Sequence, residues 1–85
     1  MKIMHYVYVL KSSKDGYLYV GSSKDIEGRI REHESGRVPS TKDRRPLKLV
    51  YYEASNDIRD SVHREKYLKT AWGKRYLKNR LKNDA

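Results

Sequence analysis

Tyr19, Arg29 and His33, three side chains able to handle a phosphate ester, fall within the fifteen-residue run YVGSSKDIEGRIREH. An arginine is always charged, and its planar fork matches two phosphate oxygens better than a lysine does. A histidine titrates near neutrality and can shuttle a proton or meet a phosphate. A tyrosine, with an ordinary pKa near ~10, acts as a base only where a metal or cation stabilises its phenolate. Each type also has an ordinary use: a solvated surface Arg, a packed Tyr, a His near a helix C-terminus. Asp25 is a good N-cap, after which Ile26, Ile30 and His33 recur at helical spacing, with Arg29 one turn before His33. The turn at Gly21 joins that helix to the strand bearing Tyr19, so the three side chains are expected to converge.

The elements that must hold these residues follow from patterning. Ile3 to Leu10 reads as a strand, with His5, Val7 and Val9 on one side and Tyr6, Tyr8 and Leu10 on the other. Asp15-Gly16 is a favoured turn pair leading to a second strand from Tyr17 to Gly21, and the hairpin register decides whether Tyr8 and Tyr19 meet. The first helix is expected to end near Glu34 or Ser35, with Gly36 left-handed beyond it. An aperiodic basic loop runs from Arg37 to Lys48, and Leu47 to Ala54 suits a third strand that puts Leu47, Leu49 and Tyr51 on one side. Ser55-Asn56-Asp57 then caps a second helix whose apolar stripe is read as Ile58, Val62 and Leu68, with Glu65 out of pattern inside it. Thr70 to Gly73 is read as a break before a short basic helix from Lys74 to Lys82, and Asn83-Asp84-Ala85 as a fraying end. The fold class is α/β of the α+β kind: a small three-stranded antiparallel sheet flanked by helices, in the order β-β-α-β-α-α.

The pair Tyr6-Val7-Tyr8 and Tyr19-Val20-Gly21, with Tyr8 and Tyr19 eleven residues apart, resembles the double signature of the GIY-YIG nuclease superfamily. Arg29 and His33 fall at that family's spacing, and the resemblance spans essentially the whole chain. It is similar in size to small stand-alone relatives of the excinuclease N-terminal domain. Tyr6 stands where the name-giving form has Gly, and Asn79 is the counterpart of an asparagine found late in some members. The resemblance implies the same sheet-and-helix arrangement and a pocket lined by both phenols. Tyr8 is the preferred water-activating base there and Tyr19 an orienting partner. It also places a metal-ligating glutamate on the helix after the third strand, at Glu65 in HREKYLK. The ordinary alternative for Glu65 is a partly buried carboxylate paired with Arg64, Lys66 or Lys69. The candidate catalytic set is therefore Tyr8, Tyr19, Arg29, His33 and Glu65, with Glu65 holding a single Mg²⁺ or Mn²⁺.

Composition narrows the class of partner. Twenty Lys and Arg against eleven Asp and Glu give a net charge of +9 over 85 residues, which favours a polyanion. Nucleic acid, DNA before RNA, is the expected partner, met by Lys42, Arg44, Arg45 and Lys48 in the loop and by Lys74 and Arg75 on the last helix. The absence of cysteine excludes disulfides, thiolate nucleophiles and Cys-ligated zinc. No run is apolar enough for a signal peptide or a membrane span, so a cytoplasmic monomer of one domain over residues 1–85 is expected, with no membrane partner. A protein partner that supplies specificity is compatible with so small a chain. The function these readings define is metal-dependent endonucleolytic hydrolysis of phosphodiester bonds, in repair or processing of DNA structures. The alternative is a module that binds structured DNA or RNA without cutting it.

Overall fold

A strand that is apolar on both sides must be covered on both sides. β1 (His5–Ser12) is such a strand: Val7 and Val9 point one way, Tyr8 and Leu10 the other, and all four are buried. In the computed structural model, which describes residues 3–84, β1 lies between β2 (Leu18–Ser23) and β3 (Leu47–Ser55), antiparallel to both. α1 (Ile26–Glu34) closes the Tyr8 and Leu10 side, packing Ile26 and Ile30 beside Leu47 and Leu49. α2 (Ile58–Leu68) and α3 (Ala71–Arg80) close the other side, where Leu68, Leu77 and Leu81 pack on Val7 and Val9. A 3-10 turn, Lys42–Arg44, interrupts the loop before β3. The element order and the helix-flanked antiparallel sheet match the sequence-based expectation.

The predicted caps hold. Asp25 accepts from the Gly28 amide at 3.1 Å, Asp57 accepts from the Arg59 amide at 2.8 Å, and Gly36 takes the left-handed φ of 82° that ends α1. Other expectations need correction. At the hairpin the strand ends shift: β1 runs to Ser12 rather than Leu10 and β2 starts at Leu18 rather than Tyr17, with Gly16 at φ 74° turning the chain between them. In β3 the alternation is interrupted, because Val9 pairs with Tyr51 but Leu10 with Leu49, leaving Val50 as a bulge. Tyr51 therefore joins the α2 and α3 side, while Leu47 and Leu49 face α1.

The stripe on α2 is also different from the one read in the sequence. Ile58 and Val62 are exposed, at 58% and 40%, and the inward face is Ser61, Glu65 and Leu68. Glu65 thus belongs to the sheet-facing side of its helix rather than interrupting an apolar one. A cross-link explains how that helix is held: Arg64 grips Glu53 of β3 with contacts of 2.9 to 3.0 Å, and its guanidinium lies 4.7 Å from the Tyr76 ring centre. Thr70 does not break the chain but caps α3, accepting from the Gly73 amide at 3.2 Å, so Ala71 to Gly73 are helical. Asp84 is contacted by Lys11 and by Lys48, and Ala85 lies outside the described residues.

Gly73 is where α3 touches the end of α2 backbone to backbone. A Cβ there would sit 2.2 Å from the Tyr67 carbonyl oxygen and 2.3 Å from Leu68 Cα. Helix propensity alone favours alanine over glycine by roughly 0.5–1 kcal/mol. The clash outweighs that gain, so Gly73→Ala is expected to lower unfolding free energy by about 1–3 kcal/mol. Urea denaturation checks this, and an unchanged or higher midpoint would contradict the close approach.

Candidate active site

β2 is an edge strand, and the cleft forms where layers from both sides of the sheet reach around it. Register sets this up. Tyr8 pairs with Gly21 and Leu10 with Tyr19, so both phenols lie on the α1 side, diagonal to one another. A Cβ on Gly21 would stand 2.5 Å from the Tyr8 hydroxyl oxygen, so glycine alone leaves that phenol its position. Ser22, one residue on, points to the opposite side and donates to Glu65 Oε1 on α2 at 2.6 Å. The resulting cleft, of about 230 Å³, is lined by Tyr8, Tyr19, Arg29, His33 and Glu65 together with Lys69. All five residues singled out for chemistry meet there, from four separate elements.

At the back of the cleft runs a buried polar chain. The Tyr8 hydroxyl and His33 Nε2 are 2.9 Å apart, and His33 Nδ1 and Thr41 Oγ1 are 2.7 Å apart. Burial pushes the His33 pKa below its ordinary value, and the Arg29 charge adds to that, so His33 is neutral at neutral pH. One ring nitrogen of a neutral imidazole donates and the other accepts, which this chain satisfies at both ends. Burial also raises the Tyr8 pKa above that of a free phenol, against the opposing pull of Arg29. Tyr8 is therefore a phenol here, not a phenolate.

Arg29 projects from α1 and bonds Glu32 at 3.0 Å; the Tyr8 hydroxyl beside it raises its pKa further. Glu65 is half-buried, which by itself raises a carboxyl pKa. The bonds from Ser22 and from Lys69 at 2.9 Å more than offset that, and the group is held ionised below the usual carboxylate range. An ionised carboxylate open to a wet cleft suits a hard divalent cation. Among the described residues no three Asp, Glu, His or Cys side chains could encircle an ion. Glu65 is the one carboxylate among the residues lining the cleft, so a divalent cation held there would take a single protein carboxylate and keep most of its waters.

The basic residues fare unevenly. Arg44 is ion-paired with Asp15, Arg45 donates to the Glu34 and Lys42 carbonyls, and Lys48 pairs with Asp84 beside Lys11. Lys42 is exposed on the 3-10 turn, and Arg75 stacks on Trp72 at 5.1 Å. Lys74 lines a second, larger hollow of about 650 Å³ that shares Tyr19, Val20, Ser40 and Lys69 with the cleft. Sequence reasoning missed Ser22, Thr41 and the placement of Lys69 in the cleft. The alternation of β2 carried a signal for Ser22, and the four-residue spacing from Glu65 carried one for Lys69. Thr41 lies in an aperiodic loop and carried none.

Fold and cleft together define a small α+β domain with a polar cleft at the rim of its sheet. Residues 4–82 match the model of the GIY-YIG catalytic domain, and the chain belongs to that family. It is similar to a UPF0213 protein of Staphylococcus saprophyticus, 44% identical over 87% of this chain and 90% of the relative. A UPF0213 protein of Staphylococcus epidermidis is 39% identical over the same shares. The solution NMR structure of the UPF0213 protein BH0048 from Bacillus halodurans aligns with a TM-score of 0.54 at 34% identity, over 87% of this chain and 81% of that one. No helix among the described residues is long and apolar enough to cross a membrane.

The neutral, buried His33 has a consequence for stability. Its folded pKa lies below its unfolded value near 6.5, so the unfolded chain binds the extra proton first as pH falls. The stabilisation is complete above about pH 6.5 and drains away as pH drops through the folded value. The urea midpoint should fall between about pH 7.5 and about pH 5.5, and fall less in His33→Gln. Equal slopes in both proteins would contradict a buried neutral imidazole.

Proposed function

We propose that the chain is a divalent-metal-dependent endonuclease that hydrolyses phosphodiester bonds in nucleic acid, DNA before RNA. One observation carries the reading: a fixed cation, an ionised carboxylate and a phenol backed by a neutral imidazole share one cleft. A pure binding module has no use for a carboxylate facing a polyanion. Arg29 holds the phosphoryl oxygens, exchanging its contact with Glu32 for them, and its charge counts most as negative charge grows in the transition state. When bound at Glu65, Mg²⁺ or Mn²⁺ supplies further neutralisation of that charge.

The raised pKa of Tyr8 argues against a free phenolate as the base. The hydrogen-bond chain supplies another route. With Nδ1–H donated to Thr41, His33 Nε2 accepts from the Tyr8 hydroxyl, leaving the phenol oxygen's lone pair for a water in the cleft. Tyr8 takes a proton from the attacking water while passing its own to Nε2, so no buried anion forms. Tyr19, packed against Tyr17 with ring centres 5.4 Å apart, orients the substrate at the cleft mouth. The domain works as a monomer in the cytoplasm and reads backbone charge rather than base sequence. Specificity then comes from substrate shape or from a protein partner.

A panel of branched, nicked, single-stranded and duplex oligonucleotides with Mg²⁺ or Mn²⁺ is expected to show EDTA-sensitive cleavage. Glu65→Gln, shown folded, should lose cleavage and keep binding, since it removes the charge that holds the metal. Arg29→Ala should lower turnover by about 10²–10³-fold with a smaller loss of affinity. Wild-type binding without any cutting would transfer the assignment to a structure-recognition module.

Binding itself should be electrostatic, because the basic groups are dispersed rather than gathered in a base-reading motif. The log–log dependence of affinity on salt is expected to have a slope of roughly −0.7 to −0.9 per phosphate contacted. Affinity indifferent to salt would exclude a backbone-reading mode.

A further inference from the structure

Lys69 stands between two features that the hydrolytic reading uses separately. Its ammonium lies 2.9 Å from Glu65 Oε2, while Ser22 occupies Oε1, so both oxygens of the cleft's carboxylate are engaged. The two partners differ in mobility. The Glu65 side chain is 23% exposed and fixed by Ser22; that of Lys69 is 55% exposed, on a flexible stem four residues along the same helix. Lys69 also lines both the cleft and the larger hollow beside it, where Lys74 and Lys78 sit over Leu68 and Leu77. Lys69 thus borders both the carboxylate's cleft and the hollow beside it.

We propose that Lys69 is a tethered rival to the divalent cation: it neutralises Glu65 while no metal is bound and is displaced into the neighbouring hollow when one arrives. This rests on the reading of Glu65 as the metal's carboxylate. The competition is for a single carboxylate, because Glu65 is the one acidic side chain among the residues lining the cleft. Lys69 is in this sense a positioning residue. It holds one oxygen of the carboxylate while Ser22 holds the other, and it weakens metal binding in proportion to the strength of its own ion pair. Its long stem lies along Leu68 and Leu77 after release, an arrangement in which lysine methylenes cover apolar surface while the charge stays wet.

The test is direct binding of Mn²⁺, read by electron paramagnetic resonance of the free ion, without nucleic acid and without turnover. Wild type, Lys69→Gln, Lys69→Arg and Glu65→Gln are compared after urea denaturation has shown each to be folded. Lys69→Gln is expected to bind Mn²⁺ more tightly than wild type, by up to about fivefold, the range set by a partly exposed ion pair. Lys69→Arg keeps a rival charge and should stay within about twofold of wild type, and Glu65→Gln should lose the site. Equal or weaker binding in Lys69→Gln, with the site still lost in Glu65→Gln, would overturn the rivalry and leave the metal assignment standing. Mn²⁺ binding that ignores Glu65→Gln would overturn the metal assignment and the rivalry together.

Discussion

The contact on which the cleft depends is the one between the Tyr8 hydroxyl and His33 Nε2, buried between the central strand and the helix above it. It joins the middle of the sheet to α1, and through Nδ1 and Thr41 it also fixes the loop that returns to β3. Three segments of the chain are thus tied by two hydrogen bonds. Such groups must be paired, since a buried polar atom left without a partner costs about 1–3 kcal/mol. Among the described residues no buried side-chain nitrogen or oxygen lacks one. The arrangement also requires an absence: only a residue with no Cβ opposite Tyr8 lets the phenol lie where it does, which is why Gly21 sits in mid-strand.

The edge position of β2 does the rest. Arg29 and Glu65 belong to helices on opposite faces of the sheet, and across a central strand they could not meet. At the rim they do, because consecutive residues of β2 serve the two layers: Gly21 makes room on the α1 side while Ser22 reaches Glu65 on the α2 side. An edge strand ordinarily invites pairing with another chain. Here its outer side is taken up by the cleft and the adjoining hollow, whose lysines Lys69, Lys74 and Lys78 add charge that discourages such pairing.

Much of this was legible in the sequence, for identifiable reasons. Strands and caps follow from local patterning, while the convergence of Tyr8, Tyr19, Arg29, His33 and Glu65 was implied by the resemblance that the double signature carries. What was not legible depended on contacts distant in sequence. The bulge at Val50 reverses Tyr51, and nothing local marks it. Ile58 and Val62 look like a core stripe by periodicity, yet the sheet receives Ser61, Glu65 and Leu68, because Arg64 is anchored on Glu53. Gly73 looks like a helix breaker, but its missing side chain is what allows α3 to press on α2. Basic residues of the loop appeared free for a polyanion, whereas Arg44, Arg45 and Lys48 already have partners within the chain.

Proton transfer in the proposed reaction turns on Tyr8 passing its proton to a neutral His33 whose Nδ1–H is held by Thr41. ¹⁵N NMR of the histidine side chains at neutral pH reads this directly, with His33→Gln used for assignment. The predicted result is a neutral His33 ring protonated at Nδ1, with Nε2 bare and accepting, and a change in the Nε2 resonance in Tyr8→Phe. A ring protonated on Nε2, or an imidazolium at neutral pH, would contradict it.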